Sequence, residues 1–438
     1  MNRYERFRFR TGGDLRTKAG ELGIDLPYSE KTGSLFLPLD VSGRRLSNRL
    51  VIHPMEGADA DPVGGPGELT FRRYERFGRG GAALIWFEAA AVVSKGRSNP
   101  RQLMLTPKTL DAFKRLVERT RGAAKSAGLP APDPLLILQL THSGRFSKPE
   151  GKPAPVIARH DPDLDPLLGL SADSPPIADA ELERHRDAYA AAAVLASKAG
   201  FDGIDIKACH GYLTAELLSA RGRDGRYGGG YENRTRYLRE TVREVRKAAP
   251  GLLAAVRLNV WDGLPYPFGF GSDPDDPERI RFAEPLRLAA DLIRDGVTLL
   301  NLTAGIPHFR PHIGRPYDHP IRGGGYPREH PLDGIIRLIR SAGAIQTGFP
   351  SLPIVGTGYS WLRHLFPNVA AAVVSSGQAT LIGVGRMAFA YPDFARDLAL
   401  EDRINPRKTC VACSGCSTLA RTGRPAGCVV RDAAFYRL

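Results

Sequence analysis

The chain has 438 residues, 42% hydrophobic and 25% charged, enough for one large α/β domain or two ordinary ones. It contains no run of eighteen apolar residues that would span a membrane. Its start, Met1-Asn2-Arg3-Tyr4-Glu5-Arg6, lacks the apolar core of a secretion signal, so a cytoplasmic protein is expected. The net charge of +14 invites nucleic acid as a partner, yet the basic residues are scattered and no stretch interleaves them with aromatics. A solvated basic surface is the better reading, and the same field suits an acidic protein partner or an anionic substrate.

In chain order, residues 1–34 are polar and mixed, with a helical piece at 14–22, and read as an N-terminal extension lying over the main domain. From Leu46 onward short apolar runs alternate with longer helical patterns. Strands are expected at 50–53, 83–87, 135–138, 203–207, 253–258, 299–302, 353–355 and 380–382. Leu110, Phe113, Leu116 and Val117 fall on one face of a helix over 109–127. Leu238, Val242 and Val245 do the same over 232–248, where Glu232 or Asn233 can cap the start, and Ile335, Ile336 and Ile339 repeat the pattern. Strands each followed by a helix or long loop predict a (β/α)8 TIM barrel over 35–405, followed by a cysteine-rich segment at 406–438. A doubly wound sheet would want a glycine-rich turn after its first strand, where Pro54-Met55-Glu56 stands instead.

Long excursions at 141–178, 261–284 and 307–331 follow strands, which puts them on the C-terminal rim of a barrel, where active sites are built. The stretch 203–213 passes from strand into such a rim loop and presents Lys207, His210 and Tyr212 within a few residues. All three can donate hydrogen bonds or protons, a combination that packing alone rarely demands.

Five segments resemble the old yellow enzyme family of FMN barrels, which reduce activated carbon–carbon double bonds, and they occur in that family's order. They are Asn48-Arg-Leu-Val-Ile-His-Pro-Met55, Gln139-Leu-Thr-His-Ser-Gly-Arg145, His210-Gly-Tyr212, Tyr227-Gly-Gly with Glu232-Asn-Arg234, and Gly383-Val-Gly-Arg386. The resemblance implies FMN bordered by Pro54, Met55 and Glu56. Gln139 and Arg257 fit its pyrimidine edge, where donors and a cation stabilise the reduced ring. Gly356, Thr357, Gly358, Gly385 and Arg386 fit the phosphate site of backbone N–H groups and one arginine that barrels build after strands seven and eight. It further implies that His210 binds the substrate carbonyl, that hydride passes from flavin N5 to the β-carbon, and that Tyr212 protonates the α-carbon. A positioned acid of this kind contributes roughly 10²–10⁴ in rate.

Two positions depart from the family pattern. Lys207 stands where a histidine is usual; its charge favours an anionic substrate group or an enolate, or, if desolvated, it acts as an acid or base itself. Glu56 stands where the family often carries Thr or Cys, and pairing with Lys207 or Arg257 is expected of it.

Cys410-x2-Cys413-x2-Cys416-x11-Cys428 crowds four of the five cysteines into the last thirty residues, which points to metal rather than disulfides. The spacing resembles the iron–sulfur stretch of the 2,4-dienoyl-CoA reductase and trimethylamine dehydrogenase branch, implying a [4Fe–4S] cluster. Zinc sites more often use two separated pairs. Cys209 reads as a small buried residue at a strand end. That branch continues into a nucleotide-binding part, for which no glycine-rich fingerprint follows Cys428 here. Electrons are therefore expected from NAD(P)H at the barrel face, or from an external one-electron carrier such as a ferredoxin.

The leading expectation is an FMN- and [4Fe–4S]-dependent ene-reductase acting on a small molecule with an activated C=C bond. A substrate (amine-type) dehydrogenase passing electrons out through the cluster is the alternative within the enzyme class. Dihydrouridine synthases fit the basic charge, but their loop cysteine and helical RNA-binding domain are not found. A non-enzymatic electron-transfer subunit is the remaining class, and homo-oligomer formation is left open.

Overall fold

A computed structural model describes residues 3–129 and 133–438; the first two residues of the expected N-terminal extension lie outside that range. A hairpin, β1 (Leu39–Val41) and β2 (Arg44–Leu46), precedes the main sheet. The apolar runs then form β3 (Leu50–Ile52), β4 (Leu84–Ala91), β5 (Leu135–Thr141), β6 (Gly203–Ala208), β7 (Leu253–Asn259), β8 (Leu299–Thr303), β9 (Ile354–Gly356) and β10 (Leu381–Val384). All eight pair in parallel, and β10 closes on β3 to make a barrel. The (β/α)8 architecture expected from the strand–helix alternation is the one observed.

Each barrel strand is buried on both faces, which is why it reads as a near-continuous apolar run. Val51, Trp86, Ile137, Ala255, Leu299 and Val355 fill the interior as one cluster. Their sequence neighbours Ile52, Ile85, Leu136, Val256 and Leu300 face outward into the shell of helices. Val41 and Leu46 of the hairpin join the interior cluster, so β1 and β2 plug the N-terminal mouth and leave the C-terminal mouth for function. Fully burying each such side chain contributes about 1.5–3 kcal/mol.

The helices follow their sequence periods with small shifts at the ends. Leu110–Ser126 buries Phe113, Leu116 and Val117, and Tyr231–Ala248 buries Leu238, Val242 and Val245. Helix Gly12–Glu21 opens with a reciprocal cap between Thr11 and Asp14. Ahead of it, Phe7 and Phe9 pack edge-on against Trp361. Strand β4 runs further than expected, with a register shift between Phe87 and Ala90 that carries the chain out over the rim. Among the described residues, no helix is long and apolar enough to cross a membrane.

Candidate active site

The opening chemistry of the rim comes from a sharp turn after β6. His210 and Gly211 adopt consecutive left-handed conformations, φ +66° and +72°, the second of which glycine accepts without strain. The turn folds Tyr212 back over its own strand, so that Lys207 Nζ lies 3.7 Å from the centre of the Tyr212 ring. Both side chains are buried. Glu56, from the loop after β3, joins them: Lys207 Nζ is 3.1 Å from its Oε1, and the Tyr212 hydroxyl donates to the same oxygen at 3.3 Å. Ser98 Oγ donates to the other carboxylate oxygen at 2.7 Å. Of the two pairings expected of Glu56, the one with Lys207 forms.

Burial, then the charge and hydrogen bond of Glu56, hold the Tyr212 hydroxyl well above the usual phenol range. Burial, then the positive charges of Arg257 and Lys207, hold the His210 imidazole well below its usual range, so it is neutral near pH 7. Phe146, Leu164, Leu264 and Ile306 pack around Tyr212 as an apolar wall, and the His308 ring stacks on Phe146 at 4.0 Å between centroids.

The floor is polar and fully enclosed. Asp205, one inward position below Lys207, accepts hydrogen bonds from Trp86 Nε1 at 2.9 Å, Gln139 Nε2 at 2.6 Å and the Arg257 amide at 2.5 Å. Burial pushes its carboxyl up to about 6 against these donors. The Gln139 amide nitrogen is thereby committed downward. Among the described residues, the buried Arg257 Nε, His53 Nε2 and Asn301 Oδ1 have no hydrogen-bond partner, and His53 Nδ1 lies 3.2 Å from Asn301 Nδ2.

On the opposite side of the rim, β9 and β10 end at Gly356-Thr357-Gly358 and Gly385-Arg386. Arg386 donates through Nη2 to the Pro316 carbonyl at 2.7 Å, while its buried Nη1 has no partner among the described residues. Burial, then the charge of Arg386 and more weakly that of Arg421, draws Arg315 down to about 10. Unpaired buried donors of this kind fit an anion with a flat, polar-edged ring, which is the chemistry of FMN.

The four clustered cysteines lie against the arginine side. Residues Asp318 and His319 of the loop after β8 donate backbone N–H groups to the Ala412 carbonyl, and Ser414 Oγ donates to the His319 carbonyl at 2.7 Å. Cys410 Sγ accepts from the Ala412 amide and Cys428 Sγ from the Arg431 amide, both at 3.3 Å. Ala412 and Ser414, either side of Cys413, are left-handed, which wraps the loop tightly. Burial raises the Cys416 thiol against the opposing charges of Arg386 and Arg315, and Cys416 and Cys428 in turn raise that of Cys410. Among the described residues, no three His, Cys, Asp or Glu side chains converge tightly enough to hold one metal ion. Cys209 is fully buried at the end of β6, as expected, and its thiol is pushed up to about 12 by burial.

Residues 34–265, more than half the chain, match the NADH:flavin oxidoreductase / NADH oxidase family. The chain belongs to that family. An NADPH dehydrogenase of Bacillus subtilis (strain 168) is 27% identical over 83% of this chain and 94% of its own length. An NADH oxidase of Thermoanaerobacter brockii is 27% identical over 85% of this chain, which spans only 51% of that longer protein. Among solved structures, a 2-naphthoyl-CoA reductase complex shares the fold with a TM-score of 0.72 at 19% identity, over 91% of this chain and 57% of the other. The matched span contains Pro54, Met55, Glu56, Gln139, Lys207, His210, Tyr212 and Arg257, while Gly356, Thr357, Gly358, Gly385, Arg386 and the clustered cysteines lie beyond it.

The structure brings Lys207, Tyr212 and Glu56 into one network and sets Gln139 and Arg257 on the floor beneath them. It gathers Gly385, Arg386 and the cysteines on the far side. Several contributors carried no readable signal. Ser98 and the wall residues Phe146 and His308 come from loops after β4, β5 and β8 and look ordinary in sequence. Asp205 had one available clue, an acid at an inward position of a buried strand, where ionisation is costly without dedicated donors.

Proposed function

We propose that the chain is an FMN- and [4Fe–4S]-dependent oxidoreductase of the ene-reductase type, acting on a small molecule with an activated C=C bond. The observation that carries this reading is the pairing of a Tyr212–Glu56–Lys207 network, with Tyr212 and Lys207 buried, with buried Arg257 and Arg386 nitrogens that have no partner among the described residues, across the same barrel mouth. Arg257 and Gln139 would meet the flavin's polar edge, and Arg386 with the Gly356-Thr357-Gly358 turn its phosphate. Bound there, FMN supplies hydride and one- or two-electron chemistry, and NAD(P)H is the donor that suits the family.

The chain's own residues supply the protons and the fit. Neutral His210 can donate one hydrogen bond to a substrate carbonyl, drawing charge from the adjacent double bond. Tyr212 exchanges a proton with the substrate carbon, and the wall of Phe146, Leu164 and Ile306 excludes water around it. Lys207 adds a positive charge that favours a developing enolate.

Cys410, Cys413, Cys416 and Cys428 would hold the [4Fe–4S] cluster. Each iron of such a cluster takes one thiolate, so four sulfurs need not meet on one centre as they must around zinc. The backbone N–H groups pointing at Cys410 and Cys428 suit sulfurs carrying negative charge. Residues 406–438 are accordingly proposed as a cluster-binding segment on a barrel at 35–405, with 1–34 as an extension packed on it.

A second reading, an amine-type substrate dehydrogenase, is favoured by one contact. Tyr212 donates its only hydroxyl hydrogen to Glu56, the state a proton acceptor requires. Absorbance of the anaerobically purified protein tests the proposal, since protein without bound flavin refutes it. Turnover with alkenes against turnover with amines under an artificial acceptor separates the two readings.

A further inference from the structure

We infer that Glu56 is the far end of a proton path through Tyr212: the proton Tyr212 exchanges with the substrate is relayed to and from the Glu56 carboxylate, which Lys207 holds in place. The inference rests on the oxidoreductase reading above and deepens it. It holds for either direction of electron flow.

A phenol carries one hydrogen, and in Tyr212 it points at Glu56 Oε1, 3.3 Å away. The Tyr212 oxygen keeps its lone pairs for a second partner, and the Ser143 hydroxyl beside it favours the phenolate. A substrate proton arriving at that oxygen must displace the hydrogen already there, and Glu56 is the acceptor in contact with it. The substrate's bond to the proton breaks, its electron pair staying on the substrate, and the proton bonds to the Tyr212 oxygen as the old Tyr212 O–H bond breaks and a new O–H bond forms on Glu56 Oε1. One proton has moved, no electron has changed hands in this leg, and Tyr212 is neutral again. Run backwards, the same path makes protonated Glu56 the reservoir from which Tyr212 is resupplied.

Without such a path, Tyr212 would have to stand as a buried phenolate beside a carboxylate, and both burial and that carboxylate oppose this. Lys207 is shared between the partners, 3.1 Å from Glu56 Oε1 and 3.7 Å from the Tyr212 ring centre, so its charge favours whichever of them is anionic. The Glu56 side chain is 19% exposed, whereas the Tyr212 residue is 6% exposed. Glu56 is thus where the proton can reach water. Ser98 fixes its other oxygen from the loop after β4. The titratable groups in contact with Glu56 are Lys207 from β6 and Tyr212 from the turn beyond it, and Cys209 at the end of β6 adds to the charges felt by Tyr212. A carboxylate that only neutralised Lys207 would not need the phenol hydrogen.

The test compares the parent with Glu56→Gln and Glu56→Asp, using the flavin-loaded protein. A pH titration in the phenolate absorption band, each protein minus its own Tyr212→Phe derivative, isolates the Tyr212 hydroxyl. In Glu56→Gln it is expected to ionise about one pH unit or more lower, a tenfold change in ionisation constant. Photoreduced enzyme mixed with cyclohexenone as the probe is expected to reoxidise about ten- to a hundredfold more slowly in Glu56→Gln. The acidic-to-neutral limb of its pH profile should be lost, and Glu56→Asp should recover part of both. An unmoved Tyr212 titration, or a Glu56→Gln rate and pH profile matching the parent, overturns the relay. A parent protein that binds no flavin instead overturns the functional reading, so the two failures are distinguishable.

Discussion

Replacing Asp205 with Asn tests whether the floor of the site holds a strained carboxyl or a comfortable one. The group is fully buried, and its pKa is raised from 3.8 to about 6 because burial outweighs its donors. A shift of about 2 units corresponds to about 3 kcal/mol. The native pKa lies above the unfolded one, so between the two the native state holds a proton that the unfolded chain has released. Stability from this group is therefore complete below about pH 4 and is lost as pH rises through about 6.

Asn cannot titrate, so the variant lacks this dependence. It also leaves one buried donor unpaired, because an amide cannot accept from Trp86, Gln139 and the Arg257 amide together, a cost of about 1–3 kcal/mol. The parent should therefore be the more stable protein near pH 4, with the gap narrowing by about 3 kcal/mol towards pH 7. With an unfolding entropy of about 2.1 cal/mol/K per residue, that is a change of about 3 °C in the Tm difference. Thermal unfolding of parent and Asp205→Asn, followed by circular dichroism in steps across this range, measures it. A Tm difference that stays constant, or widens with rising pH, refutes the reasoning.

Tyr212→Phe should slow turnover by about 10²–10⁴ while leaving flavin stoichiometry unchanged; equal loss of flavin would mean the residue serves the fold. Arg386→Ala removes a buried cation with a free Nη1 and should weaken FMN binding to the deflavinated protein by about 1.5–3 kcal/mol, read by quenching of flavin fluorescence. Cys413→Ser or Cys428→Ser should abolish iron and acid-labile sulfide together, and one zinc per chain in the parent would contradict the cluster. A Cβ on Gly383 would run into the His53 ring, so Gly383→Ala should cost about 1–3 kcal/mol, measured as a fall in Tm.

Much of this protein was written locally. Each barrel strand is enclosed on both faces, so its apolar run stands out against the amphipathic helices, and the eight runs are legible in order. The turn after β6 is similarly visible, because Lys207, His210, Gly211 and Tyr212 are close in sequence and a short segment sets their geometry. The cysteines announce themselves by spacing. The hairpin at Leu39–Leu46 escaped notice because its strands are three residues long and carry few inward side chains.

What only the tertiary structure decided is which distant residues meet. Glu56 precedes Lys207 by 151 positions; the sequence offers Lys207 or Arg257 as its partner, but only the fold selects the lysine and adds the Tyr212 hydroxyl on the same oxygen. Asp205 finds Trp86 and Gln139 only because closure stacks inward positions of β4, β5 and β6 at one level. The physical reason is the same in both cases. Periodicity records which face of an element is buried, but hydrogen bonding inside a barrel is set by how neighbouring strands are staggered, and that belongs to the closed sheet rather than to any one strand.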